Sequence, residues 1–284
     1  MNTDYTDYTD FSFRTRISRI TRIDLGDMDF QIDKIYNEDC LQGMKRIPDG
    51  SVDAVICDLP FGTTACKWDN IIPFEPMWEQ FHRVCKDNAA IVLFAGEPFT
   101  SRLIMSNIKE YRQKLTWLKT RPTNVFNAKK QFMNWTEDIC VFYRSLPTFN
   151  PQMRTDGEFT GAKVQRCNHD RSNGTLGQTG EKAGYVHEGN GGLFYPKSVL
   201  EFSNVHNGGT GVHPTQKPVR LISYLVRTYS NEGDTILDAT IGSGTTAVAA
   251  LMEKRHFIGF ETNPEYFDIA QGRIDQVLRN PTLF

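Results

Sequence analysis

Residues 89–95 read Ala-Ala-Ile-Val-Leu-Phe-Ala, without a single polar side chain. A strand with one face in water alternates apolar and polar residues, whereas a strand covered on both faces reads as a continuous apolar run. Cover on both faces of a sheet is what helices provide in α/β proteins, so this run limits the fold more than any other stretch. The surrounding sequence supplies the helices. In "EPMWEQFHRVCK", Met77, Trp78, Phe81 and Val84 recur at helical spacing, and "PFTSRLIMSNIKE" reads as a helix with proline in its first turn. Strand-like segments alternate with helical ones on either side: "KIYNED", then the helix "CLQGMKRI", then "SVDAVICD" before residue 60, and "RQKLTWLK" and "EDICVFYR" after residue 110. Beyond residue 212 come the helix "PVRLISYLVRTYS", the strand "DTILDAT", the helix "TTAVAALMEKR", the strand "HFIGFE" and the helix "PEYFDIAQGRIDQVLR". This alternation predicts a doubly wound, Rossmann-like α/β sheet of about seven strands, mostly parallel.

Between these halves the character changes. Residues 145–212 are rich in Gly, Asn, Ser and Thr, as in "NGTLGQTGEKAG" and "HEGNGGLF", and an insertion of that length in a compact protein is functional or disordered. The expected organisation is a mobile tail over 1–30, half of the domain over 31–144, the loop-rich insertion over 145–212, and the second half over 213–284. With 284 residues, 39% hydrophobic and 23% charged, the chain can bury a sizeable core. No apolar run approaches the ~20 residues that span a bilayer, and the N-terminus lacks a signal-peptide layout. Six cysteines (40, 57, 66, 85, 140, 167) form no CxxC pair and no metal-ligand spacing. They read as reduced thiols of a cytoplasmic protein, with no metal and no membrane contact expected.

Two places carry chemistry. "TILDATIGSGTTAVAA" is strand, glycine turn and helix: Asp238 ends the strand, Gly242 and Gly244 let the backbone approach a ligand, and Thr245 opens the helix. Glu261 ends the following strand, at the distance that suits ribose hydroxyls of a nucleotide cofactor. A nucleoside-triphosphate loop is excluded, because no lysine follows Gly244. A dinucleotide site survives with Ala247 at its third glycine position, and so does a site for S-adenosylmethionine, whose ammonium would suit Asp238. The second place is "DLPFGTT", where the strand "DAVIC" ends in a carboxylate, Asp58, with the rigid Pro60 and the ring of Phe61 behind it.

The combination is what discriminates. Asp58-Leu59-Pro60-Phe61, then "HPTQKP" (213–218), then Asp238 to Thr246, then "IGFETNPEYFDIA" resemble, in order, the motifs of the S-adenosylmethionine-dependent DNA amino-methyltransferases of the permuted beta group. The resemblance covers roughly 33–280, with 145–205 matching by position only, and the "DLPFGTT" form is similar to those of phage-encoded adenine methyltransferases. It implies a methyltransferase sheet in which 145–212 is the target-recognition region and S-adenosylmethionine the cofactor. Asp58, Pro60 and Phe61 would be catalytic. Asp39, Asp58, Thr215, Lys217, Asp238, Gly242, Gly244, Thr245 and Glu261 would surround the cofactor, with Lys217 near its carboxylate. Asp39 equally suits an N-cap for the helix after it. His213 reads as a turn-stabilising histidine without proton chemistry. Leu59 stands where the family has its first proline, and Ala239-Thr240 where it has Pro-Phe, so another ring would have to cover the cofactor.

The implied reaction is methyl transfer to the N6 amino group of adenine in double-stranded DNA, at a flipped base. Cytosine N4 is the alternative within the class, and a nicotinamide-dependent dehydrogenase or a catalytically dead DNA-binding module the alternatives outside it. Charge distribution agrees with DNA: residues 101–171 carry 13 Lys or Arg against 6 Asp or Glu, in a chain of net charge −2. The expected DNA contacts are Lys119, Arg121, Lys129, Lys130, Arg154, Lys163, Arg166 and Arg171. Relatives often pair, which makes a homodimer compatible with the resemblance, although no helix face in the sequence demands one.

Overall fold

The computed structural model describes residues 30–63, 69–123, 125–155, 193–204 and 216–280, the side chain of Phe126 excepted. The chain divides into two compact units, Met1–Asn150 with Ser198–Phe284, and Pro151–Lys197. The large unit holds eight strands in one sheet: β1 (Lys34–Tyr36), β2 (Val52–Asp58), β3 (Cys85–Ala95), β4 (Tyr111–Thr123), β5 (Asn134–Phe142), β6 (Val199–Phe202), β7 (Thr235–Asp238) and β8 (His256–Phe260). Among the described residues six α-helices accompany them: α1 (Cys40–Gly43), α2 (Phe74–Val84), α3 (Phe99–Ser106), α4 (Val219–Tyr229), α5 (Thr245–Met252) and α6 (Pro264–Arg279). In the small unit, Arg154 and Phe194 form an isolated antiparallel bridge.

The sheet order is β1-β8-β7-β2-β3-β5-β4-β6. All pairings are parallel except those of β5, which runs antiparallel to both β3 and β4. The run of residues 89–95 lies in β3 at the centre, and its side chains alternate between two cores as a doubly covered strand must. Ile91, Leu93 and Ala95 join Met77, Trp78, Phe81 and Val84 of α2 and Phe99 and Leu103 of α3. Ala90, Val92 and Phe94 join Leu221, Ile222, Leu225 and Val226 of α4 and Ala247, Ala249 and Ala250 of α5. Each core removes several large apolar side chains from water, at roughly 1.5–3 kcal/mol apiece.

Three local features differ from the sequence reading. "CLQGMKRI" makes one α-turn and then a 3-10 turn, Met44–Arg46. Pro98 sits at the N-cap of α3 rather than inside its first turn. An eighth strand, β6, lies inside the stretch read from sequence as loop: Val199–Phe202 pairs with β4 at the sheet edge, where one neighbour suffices and a four-residue strand leaves little periodic trace. The stretch 1–29 lies outside the described residues.

Topology places the site. β7 inserts beside β2, with Ala54 opposite Ile236 and Val55 opposite Leu237. Both strands are parallel, so Asp58 and Asp238 finish at the same edge, the carboxyl edge at which open α/β sheets bind ligands. Because β5 is reversed, its beginning, with Glu137, arrives at that same edge.

Candidate active site

A cavity of about 790 Å³ opens along this edge, within the range of pockets that hold a cofactor-sized molecule. Asp39, Asp58, Pro60, Phe61, Lys119, Arg121, Lys217, Asp238, Gly242, Thr245 and Glu261 all line it. Sequence positions more than two hundred residues apart are thus walls of a single chamber.

The end of β2 is tied to the end of β7 directly. The Thr240 hydroxyl donates to the Asp58 carbonyl oxygen at 2.8 Å and lies 3.1 Å from the Cys57 thiol. Thr240 therefore does a joining job that the sequence did not announce. Behind Pro60, Phe61 stacks on Phe99, ring centroids 5.3 Å apart and planes within 22°, which fixes the plane its free face presents. Asp69, buried, accepts from the amides of Gly62 and Thr63 at 2.8 and 2.9 Å and clamps the turn after Phe61, where Gly62 has φ +67°.

On the other wall, Gly242 (φ +54°) and Gly244 (φ +80°) make the bend between β7 and α5. A Cβ on Gly244 would lie 2.9 Å from the Ala270 Cβ, so this glycine serves packing against α6 and the left-handed turn, and it does not line the cavity. Arg273 of α6 donates to the Ser243 carbonyl and to the hydroxyls of Ser243 and Thr245, bracing the same bend. Burial lowers its guanidinium to about 10. Glu261 accepts from the Gly242 amide at 3.0 Å and the Asn263 amide at 2.7 Å, so its carboxylate organises the bend from the neighbouring strand. Burial outweighs these amides and raises Glu261 above the ordinary carboxylate range. Asp238, buried, accepts from the Thr240 amide at 3.0 Å. Burial pushes it up to about 6, against the pull of the Thr246 hydroxyl and the Thr240 amide. Asp39 is the N-cap of α1, accepting from the Gln42 amide at 3.1 Å, and also faces the cavity. Tyr266, in the first turn of α6, is a ring on the cavity wall, where Thr240 offers none.

The acid at the end of β2 does not stand alone. Lys217 donates to Asp58 Oδ2 at 2.6 Å and lies 2.8 Å from Glu137 Oε1, while Lys119 lies 2.9 Å from Glu137 Oε2. The structure adds partners to two of the expected residues. Lys217, on the cavity wall, meets Asp58 and Glu137. Lys119 is buried against Glu137, its ammonium lies 5.2 Å from the Trp117 ring centre, and it lines the cavity rather than the outer surface. Glu137 went unread in the sequence, because a carboxylate at the start of an apolar strand looks like an ordinary strand end until the strand's reversal is known.

The remaining basic residues separate. Arg121 is exposed at the cavity rim, and its backbone amide donates to Asn204 Oδ1 at 3.1 Å. Lys129 and Lys130 are exposed in the β4–β5 connection, away from the cavity wall. Arg154 stays within the small unit, its Nε donating to the Tyr195 carbonyl and its guanidinium 6.0 Å from the Phe194 ring centre. Lys163, Arg166, Arg171, His213 and Thr215 lie outside the described residues. Among the described residues no cluster of three or more His, Cys, Asp or Glu could hold a metal ion. None of the described helices is long and apolar enough to cross a membrane.

Comparison with known proteins decides the family. The sequence profile of the DNA methylase family of N6/N4 enzymes matches residues 52–272. The chain belongs to that family. Its relatives include the type II methyltransferase M.BglII of Bacillus subtilis, 30% identical over 263 residues covering 84% of this chain and 68% of that protein. The type II methyltransferase M1.MboII of Moraxella bovis is 28% identical over 268 residues, 87% of this chain and 98% of its own. Among solved structures, the M1.HpyAVI–SAM complex superposes with a TM-score of 0.57 at 21% identity, over 85% of this chain and 98% of the other. The cytosine-N4-specific PvuII DNA methyltransferase gives 0.57 at 16% identity, over 84% and 85%. These superpositions establish the shared α/β fold. Membership of the DNA methylases removes the nicotinamide-dependent dehydrogenase reading and gives "DLPF" and "HPTQKP" their place in one enzyme.

Proposed function

We propose that this DNA methylase transfers a methyl group from S-adenosylmethionine to the N6 amino group of adenine in duplex DNA, at a base turned out of the helix. One observation carries the reading: Asp58 and Asp238 end adjacent parallel strands and line the same cavity.

The cavity suits the cofactor by its donor set. S-Adenosylmethionine carries an ammonium, a sulfonium and ribose hydroxyls, and Asp39, Asp238 and Glu261 offer carboxylates beside the bend at Gly242 and the helix start at Thr245. When bound, it supplies an electrophilic methyl group. The residues of this chain do the rest. An exocyclic amine is a weak nucleophile because its lone pair is delocalised into the base. Asp58 and the backbone carbonyl near Leu59–Pro60 would accept its two hydrogens and draw the nitrogen toward sp³ geometry, so that the lone pair points at the methyl carbon. This is orientation and electrostatic stabilisation without a covalent enzyme intermediate. Phe61, its plane held by Phe99, would stack on the base. A paired base cannot enter such a chamber, and extrusion costs a few kcal/mol. Lys129, Lys130 and Arg121, exposed on and beside the β4–β5 connection, would meet phosphates. The Asp at position 58 and the likeness of "DLPFGTT" to adenine enzymes favour adenine over cytosine.

The test is to incubate the protein with methyl-labelled S-adenosylmethionine and unmodified DNA, digest to nucleosides and identify the label. N6-methyladenine is the expected product. N4-methylcytosine would overturn the base assignment, and no incorporation would overturn the activity.

A further inference from the structure

Along the cavity wall four charges alternate in sign: Lys119, Glu137, Lys217 and Asp58, joined at 2.9, 2.8 and 2.6 Å. Side-chain exposures are 8% for Lys119, 11% for Glu137 and 9% for Lys217, but 27% for Asp58. The cluster is neutral in sum; all four side chains line the cavity, and Asp58 is the most exposed of them. Folding alone does not call for such an arrangement. Replacing buried ion pairs by apolar residues of similar volume is often neutral or stabilising, because desolvation offsets the attraction. Besides Asp58 on β2, its parts come from three distant places, β4, β5 and the residue just before Pro218 at the N-cap of α4. The Lys217 contact with Glu137 Oε1 is an ion pair without an aligned hydrogen bond, whereas its contact with Asp58 Oδ2 is a hydrogen bond.

We propose that Lys217 and Glu137 are positioning residues: Glu137 anchors the Lys217 ammonium, which holds the Asp58 carboxylate ionised and aimed into the cavity as the acceptor of the base's amino hydrogens. The proposal rests on Asp58 being that acceptor. A protonated acid would lose acceptor capacity and leave the amine lone pair delocalised. Lys217 also lies 5.1 Å from the Phe94 ring centre, which limits where its ammonium can go.

The charges facing Asp58 are Lys217, Glu137, Lys119 and, from β7, Asp238. Burial raises Asp58, Lys217 lowers it, Glu137 raises it and Lys119 lowers it, and the outcome is about 6. Burial works against charge on Lys217 too, yet Asp58 and Glu137 override it and raise the lysine. For Glu137, burial is outweighed by Lys217 and Lys119, which hold it below the ordinary range. By charge alone, removing Lys217 raises Asp58 and removing Glu137 lowers it, so the anchoring role of Glu137 shows in the rate plateau and not in the titration.

The experiment is a pH titration of Asp58 by 13C-carboxyl NMR in the full chain, the signal assigned by its loss in Asp58→Asn, alongside single-turnover methylation of unmodified DNA against pH. Lys217→Met is expected to move the Asp58 titration, and the acid limb of the rate, up by about one pH unit or more. Glu137→Gln, nearly isosteric, removes a facing negative charge and the lysine's anchor together, so the Asp58 titration is expected to move down while the pH-independent plateau of the methylation rate falls several-fold; Lys217→Arg is expected to restore the wild-type position. An Asp58 titration that does not rise in Lys217→Met, or a plateau rate in Glu137→Gln equal to wild type, overturns the proposal. Asp58→Ala separates the two levels: full methylation by that variant would overturn the acceptor reading itself, whereas an inactive Asp58→Ala with unmoved titrations would overturn only the role of Lys217 and Glu137.

Discussion

Asp58 is where proton chemistry and geometry meet. Replacing it with Ala is expected to lower the methylation rate by at least about 10²–10³-fold, the usual loss when a positioned electrostatic partner is removed, with cofactor affinity kept within a few-fold. Calorimetry with S-adenosylmethionine and single-turnover kinetics would read the two separately. The direction of the pH dependence follows from burial. A carboxyl held near 6 is neutral below that value, so transfer is expected to fall as pH drops through about 6. Asp238 sits at about 6 for the same reason, so cofactor affinity is expected to weaken in the same window. Flat affinity between pH 7 and pH 5 would mean that the Asp238 charge does not contact the cofactor. The sequence made Asp58 legible because a carboxylate, a proline and a ring in succession at a strand end have few structural uses. It hid Glu137 and Asp69, whose single carboxylates acquire meaning only from what the fold sets opposite them.

At the scale of elements, the bend between β7 and α5 is held from three sides, by Glu261 just after β8, Arg273 on α6 and the packing of Gly244 on Ala270. Gly244→Ala would put a Cβ into that packed space at a positive φ. The left-handed penalty of roughly 1–2 kcal/mol and overpacking of about 1–3 kcal/mol add to an expected loss of about 2–5 kcal/mol. Urea unfolding checks the loss, and reduced cofactor affinity should accompany it. A change under about 0.5 kcal/mol would show that α6 can move aside. The strand–turn–helix pattern was readable because glycines at fixed spacing follow an apolar run. β6 was not, because an edge strand of four residues in a Gly- and Asn-rich stretch has no periodicity to read.

For the whole molecule, the separation of a carboxylate-rich cavity from an exposed basic connection predicts a salt-dependent affinity for DNA. Lys129→Glu with Lys130→Glu is expected to lower the slope of log K against log salt by roughly 1.8, about 0.9 for each phosphate that is no longer neutralised. Binding isotherms at several salt concentrations would read it, and an unchanged slope would mean that both side chains face only water. By itself the sequence determined the layers and the two strand-end corners, because local periodicity, proline, glycine and strand-end carboxylates act over a few residues. The tertiary structure alone decided that β7 inserts beside β2 and that β5 runs backwards. Strand order and direction depend on which faces bury each other across the whole chain, and those two choices bring Asp58, Asp238, Glu137, Lys119 and Lys217 to one edge of the sheet.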